Sequence, residues 1–304
     1  MCCGHIYAQD YPNKPVKIYG HGPGSTADYL SRVMAQKLTE KWNQPVIVDN
    51  RAGAGGTVPG DLVAKSPPDG YTLFMGHAGP MVSSVVLYPN LPYDPVKDLA
   101  GISMVATGVT VMMVHPSIPA NTVAEFIQYA KKRNDLNFSS AGNGTISHLS
   151  GELFKQVAGV NMMHIPYKSS GAGLTALLAN ETQVSFLSPV TAAAQLKTGK
   201  LKALVVSTSD RFPGLPEIPG SSEVGLTGLD AKLWFGLFLP AKTPKTLIQK
   251  LNQDVNEILR RQDVKESFWI NLLTVCKHTG NQVSRQYRNS HLIPQLNIFW
   301  ECKR

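Results

Sequence analysis

One local pattern recurs along the chain: an apolar strand runs into a turn rich in glycine and serine, and an amphipathic helix follows. The first copy is strand 16–19 followed by turn 20–28. The helix after it has four apolar residues on one face, Leu30, Val33, Met34 and Leu38. Similar turns occur in both halves of the chain, at 76–80, 139–145 and 167–173. Alternating strands and helices predict α/β layers around a mainly parallel sheet, where ligands bind at the carboxyl ends of the strands.

The central turn predicts an anion site. Gly142 and Gly144 have no Cβ, so the backbone there can adopt positive φ and let another group come close. Ser140, Asn143 and Thr145 offer hydroxyls and an amide where a helix should begin, and a helix N-terminus attracts anions. We interpret this turn as one side of a carboxylate site, although an ordinary N-cap turn fits the same residues. Because such turns fall in both halves, two sets facing each other across a cleft would make a two-lobed molecule.

Length and charge exclude several other classes of protein. The chain has 304 residues, enough for one large core or two smaller ones, and no run approaches the roughly 18 apolar residues of a membrane span. Its net charge is +8, but the segment from Ser267 onward holds five Lys or Arg and one Asp or Glu, a surplus of four. The rest of the chain shows no basic stripe, so we expect no nucleic-acid partner.

The cysteines lie only near the two ends of the sequence, at Cys2, Cys3, Cys276 and Cys302. The body of the chain therefore needs neither a disulfide nor a cysteine metal site, which suits an oxidising compartment. Residues 1–9 are too short and too polar for a secretory signal, but they fit the tail of a truncated signal peptide cleaved after Ala8. An N-terminal extension without that role is the alternative.

Two segments are predicted to cross between the lobes. Residues 101–114 contain two strand-like stretches, and 234–239 form a strand that we interpret as the return crossing. Lobe 1 is therefore predicted to be discontinuous, with 10–107 and 235–304, and lobe 2 to comprise 108–234.

Nine short segments, in order along the chain, carry a resemblance to a known family. They include Gly-Pro-Gly-Ser-Thr-Ala-Asp at 22–28 and Ser-Ala-Gly-Asn-Gly-Thr at 140–145. The others are 11–15, 50–56, 68–73, 93–99, 164–168, 199–204 and 234–237. The ordered set resembles the periplasmic solute-binding proteins of tripartite tricarboxylate transporters, known as the Bug family and also as TctC-like proteins.

The resemblance implies the type II periplasmic binding protein fold, in which two crossing strands join two α/β lobes around a ligand cleft. It implies a periplasmic protein that captures a small carboxylated solute and delivers it to integral membrane transporter subunits. We expect a monomer with no catalytic residue, cofactor or metal. The implied ligand contacts of the first lobe are Gly24, Ser25, Thr26, Asp28, His77 and Ala78. Those of the second lobe are Ser140, Ala141, Gly142, Asn143, Thr145, Tyr167 and Lys168. The family holds the carboxylate mostly through backbone N–H groups, hydroxyls and waters, without a dedicated arginine.

The sequence departs from the family pattern at three places. Turn 22–28 differs from the usual Pro-Pro-Gly-Gly-Ser-Thr-Asp, which leaves its register open by one residue, and Leu187 and Ser188 replace a polar or acidic pair. Past Glu266 the resemblance is expected to stop, because 267–304 hold two of the four tryptophans and no clean helical stripe. We interpret this segment as the product of a reading-frame shift, with a genuine divergent tail as the alternative.

Several of these residues also have a structural interpretation. Asp28 either contacts the ligand or supports a helix N-terminus, and Lys168 either neutralises a carboxylate or lies solvated at the rim of the cleft. Tyr167 either contacts the ligand or is a half-buried structural tyrosine, and His77 either contacts the ligand or has a plain surface role. His148 lies four residues before Glu152 on one predicted helix, but a third ligand is missing, so we predict no metal site.

An enzyme on the same scaffold is the first rival interpretation, since fold alone does not determine function. It would need a perturbed acid, base or nucleophile in the cleft, and the candidates are only Asp28, His77 and Lys168. No Ser-His-Asp or Cys-His arrangement has a credible local signature. A sensor that presents its closed form to a signalling partner is the second rival, which the sequence does not separate from a transport receptor.

Overall fold

A computed structural model describes residues 11–275, which form two β-sheets with helices packed on them. The strands of the described part are β1 (Val16–Gly20), β2 (Val46–Asn50), β3 (Thr72–His77), β4 (Leu99–Val109), β5 (Val111–Val114), β6 (Asn137–Ser140), β7 (Met163–Pro166), β8 (Val184–Leu187), β9 (Lys202–Val206), β10 (Lys232–Pro240) and β11 (Leu273–Val275). The α-helices of that part are α1 (Thr26–Trp42), α2 (Thr57–Ala64), α3 (Ser84–Leu87), α4 (Val123–Ala130), α5 (Ile146–Ala158), α6 (Ser170–Leu178), α7 (Pro189–Thr198), α8 (Lys245–Arg260) and α9 (Gln262–Ile270).

The first sheet has the strand order β11-β4-β10-β3-β1-β2 and the second β7-β6-β8-β5-β9. Among the strands of residues 11–275, four pairings are parallel and five are antiparallel. The expectation of a mainly parallel sheet is therefore wrong. Every antiparallel pairing involves β4, β5 or β10, the strands by which the chain passes between sheets, and antiparallel neighbours need no crossover helix.

The chain crosses between the sheets twice, as predicted. Thr110 alone separates β4 in the first sheet from β5 in the second. On the return, Ser207 follows β9 and Ala231 precedes β10. Ser207 joins the two crossings, because its Oγ accepts from Thr110 N at 3.0 Å and donates to the Ala231 carbonyl at 2.7 Å. These strands confirm the two-lobed α/β class. We call the part built on the first sheet the first lobe and the part built on the second sheet the second lobe. The residue boundaries of the lobes stay a prediction.

Each lobe has its own core. In the first lobe α1 begins at the cap Ser25, whose hydroxyl accepts from Asp28 N, and buries Leu30, Met34 and Leu38 against the sheet, as the apolar spacing predicts. In the second lobe four phenylalanines are fully buried around the sheet, Phe126, Phe138, Phe154 and Phe186. Two separate cores let the lobes move as units about the crossing strands.

Residues 267–275 pack as part of the first lobe, and α9 runs on to Ile270 although no clean helical stripe was recognised past Glu266. Phe268 in α9 is fully buried, and the Tyr29 hydroxyl donates to the Ser267 carbonyl at 2.9 Å. Strand β11 pairs with β4, with Thr274 opposite Thr107. Residues 276–304, the remainder of the segment 267–304 that is interpreted as a frame-shift product, and the predicted remnant of a signal peptide lie outside the described residues.

Between residues 11 and 275 no helix is long and apolar enough to cross a membrane.

Candidate ligand-binding site

The turns that follow the strands of both sheets meet at one place between the lobes. A Cβ on Gly22 of the first lobe would lie 3.0 Å from the Ser169 Cβ of the second. A Cβ on Gly55 would lie 2.5 Å from the carbonyl oxygen of Asn143, closer than real Cβ contacts allow. The two sets of turns therefore pack with their backbones in contact, and the molecule is in a closed arrangement.

Two further contacts tie the lobes together at this place. The N–H of Val190, at the start of α7, donates to the hydroxyl of Thr26 at the start of α1, with 3.5 Å between nitrogen and oxygen. A Cβ on Gly144 would lie 2.8 Å from Leu87 Cδ1 of the first lobe. Thr26 is 2% exposed, so this hydroxyl faces the junction and not solvent.

Asp28 braces its own turn. Its carboxylate accepts from Gly24 N at 3.0 Å, from Asn50 Nδ2 at 2.6 Å and from Arg32 Nε at 2.7 Å. The side chain is buried, and the partners come from its turn, the next strand and its own helix. This arrangement matches the supporting role considered for Asp28, and a contact with ligand stays a prediction.

The second-lobe turn is held by hydrogen bonds among its own residues. Ser140 Oγ accepts from Gly142 N at 3.1 Å, and Thr145 Oγ1 donates to the Gly142 carbonyl at 2.6 Å. The N–H of Ala141 donates to Ser147 Oγ at 3.1 Å. Gly142 has φ of 120°, a conformation that L side chains rarely adopt, which explains why a glycine is needed there. Several N–H groups that were expected to face a carboxylate thus have partners inside the turn.

Helix N-termini supply other donors at the same place. Helix α5 begins after Thr145 and α7 begins after Ser188, and neither hydroxyl caps a backbone N–H of its helix. The two hydroxyls instead bond the hydroxyls of Ser147 and Thr191. The first N–H groups of a helix have no intrahelical partner and carry the positive pole of the dipole. Helix α5 therefore presents neutral donors that can hold an anion. Helix α7 offers fewer, because Pro189 has no N–H and the Val190 N–H already binds Thr26.

Four other predicted contacts lie nearer the surface. The Tyr167 hydroxyl donates to Glu181 Oε2 at 3.4 Å, and the Lys168 side chain is exposed. Gly24 is exposed, with φ of 73° and no atom within 4 Å of its Cβ position, and Ala78 is half-buried at the end of β3. Ligand contacts of these residues stay a prediction.

Two buried histidines line the first lobe beside the junction, and only one was expected. His77 is 9% exposed and its Nδ1 accepts from Gly79 N at 3.2 Å. The His21 ring lies 5.7 Å away, is 3% exposed, and its Nε2 has no hydrogen-bond partner. Burial lowers the pKa of His21 to about 4, and burial with the neighbouring His21 lowers the pKa of His77 to about 3. Both rings are therefore neutral at ordinary pH, and no local sequence signal marked His21.

A second histidine pair lies behind the second-lobe turn. His148 and His164 stack with ring centroids 4.0 Å apart, although 16 positions separate them in sequence. Glu152, once considered as a metal partner of His148, is instead paired with Lys155 at 2.8 Å. Among residues 11–275 no group of three or more His, Cys, Asp or Glu side chains could hold a metal ion.

The junction is polar but carries no buried cationic side chain. Every Lys and Arg between residues 11 and 275 is exposed or half-buried, whereas Ser25, Thr26, Ser140, Thr145 and Ser188 are buried. An anion in this place would therefore meet hydroxyls and backbone dipoles.

A groove of about 450 Å³ lies elsewhere, along α5. Its walls are mostly apolar and it is lined by Ile146, Leu149, Glu152, Leu153, Lys155, Gln156 and Ala231. It touches the junction only at Ile146.

Solved structures with the same fold define the class of protein. An R. palustris protein solved with adipate has a TM-score of 0.89 and 29% identity, over 92% of this chain and 94% of that one. The MatC protein of Rhodopseudomonas palustris, solved with bound malate, has a TM-score of 0.87 and 29% identity, over 92% of this chain and 97% of that one. The periplasmic binding protein BugD has a TM-score of 0.87 at 28% identity, over 92% of this chain and 94% of that one. The fold and the closed cleft thus place the chain in the class of two-lobed periplasmic binding proteins.

Sequence relatives narrow this class to one family. A UPF0065 protein of Bordetella pertussis is 36% identical over 253 residues, which cover 83% of this chain and 78% of the relative. Protein BugT of the same species is 33% identical over 266 residues, covering 86% and 82%. The model of the TctC family, described as "Tripartite tricarboxylate transporter family receptor", matches residues 30–291. The chain belongs to this receptor family, which confirms the resemblance to Bug proteins, and the match runs past Glu266.

Membership of this family decides between the binding protein and the enzyme, and it leaves the transport receptor and the signalling sensor unseparated. Its members are solute-binding receptors and not enzymes, so the prediction of a non-enzymatic binding protein is confirmed.

Proposed function

We propose that this chain is an extracytoplasmic receptor that closes around a small carboxylated solute and delivers it to a tripartite tricarboxylate-type membrane transporter. The solute is held between the first-lobe turns at 24–28 and 77–78 and the second-lobe turns at 140–145 and 167–168. The location is the periplasm, where a receptor of this family meets its membrane partner.

The convergence of uncapped helix N-termini on a closed junction carries this proposal. Thr145 and Ser188 precede α5 and α7, and their hydroxyls cap no backbone N–H of these helices. Thr26 from the other lobe already accepts the Val190 N–H of α7. Such donors bind a carboxylate without a buried counter-ion, because the partial charge at each helix terminus is fixed in place. The adipate and malate held by two proteins of the same fold support a di- or tricarboxylate as the ligand.

Thermal unfolding with a panel of mono-, di- and tricarboxylates tests the binding step. A ligand that binds the closed form raises the melting temperature, by about 5 °C or more at roughly 100-fold excess over Kd. Adipamide is the matched control for adipate, because it keeps the carbon skeleton and removes both charges. Native mass spectrometry of protein purified without refolding identifies any solute that is carried along.

The binding proposal is wrong if the purified, folded protein carries no solute and no carboxylate of the panel changes its melting temperature. Delivery is tested separately, by uptake of the identified solute in cells that carry the membrane subunits with and without this chain. A receptor for signalling would bind the solute and leave uptake unchanged.

A further inference from the structure

The two histidines behind the second-lobe turn form an aromatic stack that continues into the core. The His164 ring lies between Phe138, at 4.8 Å and 27°, and His148, at 4.0 Å and 23°. Phe138 is fully buried and belongs to β6, the strand that leads into the turn. The stack therefore connects the second-lobe core to the turn.

Each histidine of the stack also bonds the turn directly. His148 Nδ1 accepts from Gly144 N at 3.1 Å, so its neutral ring carries the proton on Nε2. His164 Nε2 lies 2.6 Å from Ser140 Oγ, and that oxygen already accepts from Gly142 N. We assign the serine hydroxyl as donor to His164 and not to the Gly142 carbonyl 3.3 Å away, because that carbonyl already accepts from Thr145 Oγ1.

The surroundings keep both rings uncharged. Burial lowers the pKa of His164 to about 4, helped by the adjacent His148, and burial lowers the pKa of His148 as well. The charged groups that reach the pair are Glu152 and Lys155, both on α5. They are paired with each other at 2.8 Å, which limits the support that Glu152 can give to an imidazolium.

We propose that His148 and His164 are positioning residues that hold the 140–145 turn in its ligand-holding shape only while both imidazoles are neutral. This inference rests on the proposed function, since the turn is one side of the proposed solute site. Protonation would put a hydrogen on His148 Nδ1, facing the Gly144 N–H, and would set two cations at 4.0 Å. Gly144 lies against Leu87 of the first lobe, so its displacement opens the junction. Acidification therefore weakens solute binding through this turn.

Hydrogen exchange of the ligand-free protein tests the geometric half of the inference. After correction for intrinsic exchange, protection of the Gly144 amide falls about tenfold or more between about pH 7 and about pH 4.5. In His148→Asn the fall is much smaller, because Asn Oδ1 occupies the place of Nδ1 and accepts the same N–H without titrating, and only His164 is left to protonate. The amide of Phe186, in the middle of the second sheet, reports global unfolding in the same samples.

His115→Asn is the matched control. His115 also belongs to the second lobe, and its Nδ1 accepts a backbone N–H, from Ser117 at 3.1 Å, but it contacts no residue of the turn. The proposal is overturned if Gly144 protection does not depend on pH, or if His115→Asn reduces the dependence as much as His148→Asn does. His164→Gln, which keeps a polar atom near Nε2, provides the same test if His148→Asn does not fold.

Solute affinity tests the functional half. The ratio of adipate Kd in the natural protein to that in His148→Asn is measured at each pH, so that protonation of adipate itself cancels. We expect a ratio near one at about pH 7 that rises about fivefold or more by about pH 5. A constant ratio, while Gly144 protection falls, overturns the positioning role. If adipate and the other carboxylates bind at no pH, the proposed function fails, and the exchange experiment still decides whether the imidazoles control the turn.

Discussion

At Gly55 the first lobe touches the second-lobe turn through backbone alone. Its φ is 62°, and a Cβ would lie 2.5 Å from the Asn143 carbonyl oxygen and 3.7 Å from Thr145 Cγ2. Two requirements thus fall on one residue: a left-handed conformation, and space for the other lobe. Gly159, at the end of α5, has φ of 64° and no atom within 4 Å of its Cβ position, so it carries only the first requirement.

Comparison of Gly55→Ala with Gly159→Ala separates these two requirements. Each substitution places alanine in a left-handed conformation and destabilises the protein by about 1–2 kcal/mol. Only Gly55→Ala also obstructs closure, so we expect it to weaken solute binding at least about tenfold while Gly159→Ala leaves affinity unchanged. Isothermal titration with the solute and thermal unfolding measure the two effects. Equal affinities of the two variants would contradict the closed contact.

At this scale the sequence predicts local chemistry well and longer-range partners poorly. The caps Ser25 and Thr122 each accept the N–H of a residue three positions further along the chain. The role of Asp28 depends on Asn50, which is 22 positions away, and the Tyr167 hydroxyl finds Glu181 across a helix. Because such partners are set by strand pairing, the spacing of residues near Asp28 left its two roles open.

At the scale of elements, one buried serine joins the two crossing segments by hydrogen bonds. Ser207 is fully buried and bonds Thr110 of the outward crossing and Ala231 of the return. The backbone of Ser207 adds two more bonds, donating to Thr110 O at 2.9 Å and accepting from Ala231 N. Ser207 thereby holds the two segments about which the lobes rotate side by side.

Ser207→Ala should loosen this connection. The N–H of Thr110 and the carbonyl of Ala231 each lose a partner in a buried place, which costs about 1–3 kcal/mol. We expect a lower melting temperature together with a larger radius of gyration in ligand-free solution scattering, since the closed arrangement loses its support. Ser185→Ala is the control, because Ser185 Oγ donates to Ser139 O within the second sheet, away from the crossings. If both variants scatter alike, Ser207 is not specific to the hinge.

The elements themselves were largely predictable, and their pairing was not. Strand–turn–helix units and both crossings follow from apolar periodicity, which is a local property. The antiparallel share of the sheets depends on which strands become neighbours after the chain has crossed over twice. Strand β11 illustrates the same limit, because Leu273 has strand character only through its pairing opposite Gly108.

At the scale of the whole molecule, neutral histidines couple folding to pH. In the folded chain the pKa is lowered to about 4 for His21, about 3 for His77 and about 4 for His164, against about 6.5 when unfolded. At acidic pH the unfolded chain therefore binds more protons at these histidines than the folded chain does. Stability is complete above about pH 6.5 and is lost progressively as the pH falls toward about 4.

We expect the free energy of unfolding to fall by at least about 1.4 kcal/mol between about pH 7 and about pH 5, the equivalent of one shifted pKa unit. Denaturant unfolding at a series of pH values measures this slope. His21→Phe should flatten it, because that variant lacks one of the imidazoles whose pKa is lowered by burial. A stability that does not vary across this range would mean that the folded chain accepts these protons freely.

The pairing of β11 with the crossing strand β4 bears on how fast the molecule exchanges its solute. Leu272 packs among second-lobe residues such as Val111 and Leu187, while the next residue pairs with Gly108 in the first sheet. A Cβ on Gly108 would also lie 2.7 Å from Pro189 Cγ, the first residue of α7. This point joins the outward crossing strand to Pro189 at the start of α7, next to one of the helix N-termini that are proposed to hold the solute. We therefore expect substitutions at Gly108 or Leu272 to change how readily the lobes open, and with it the residence time of the solute.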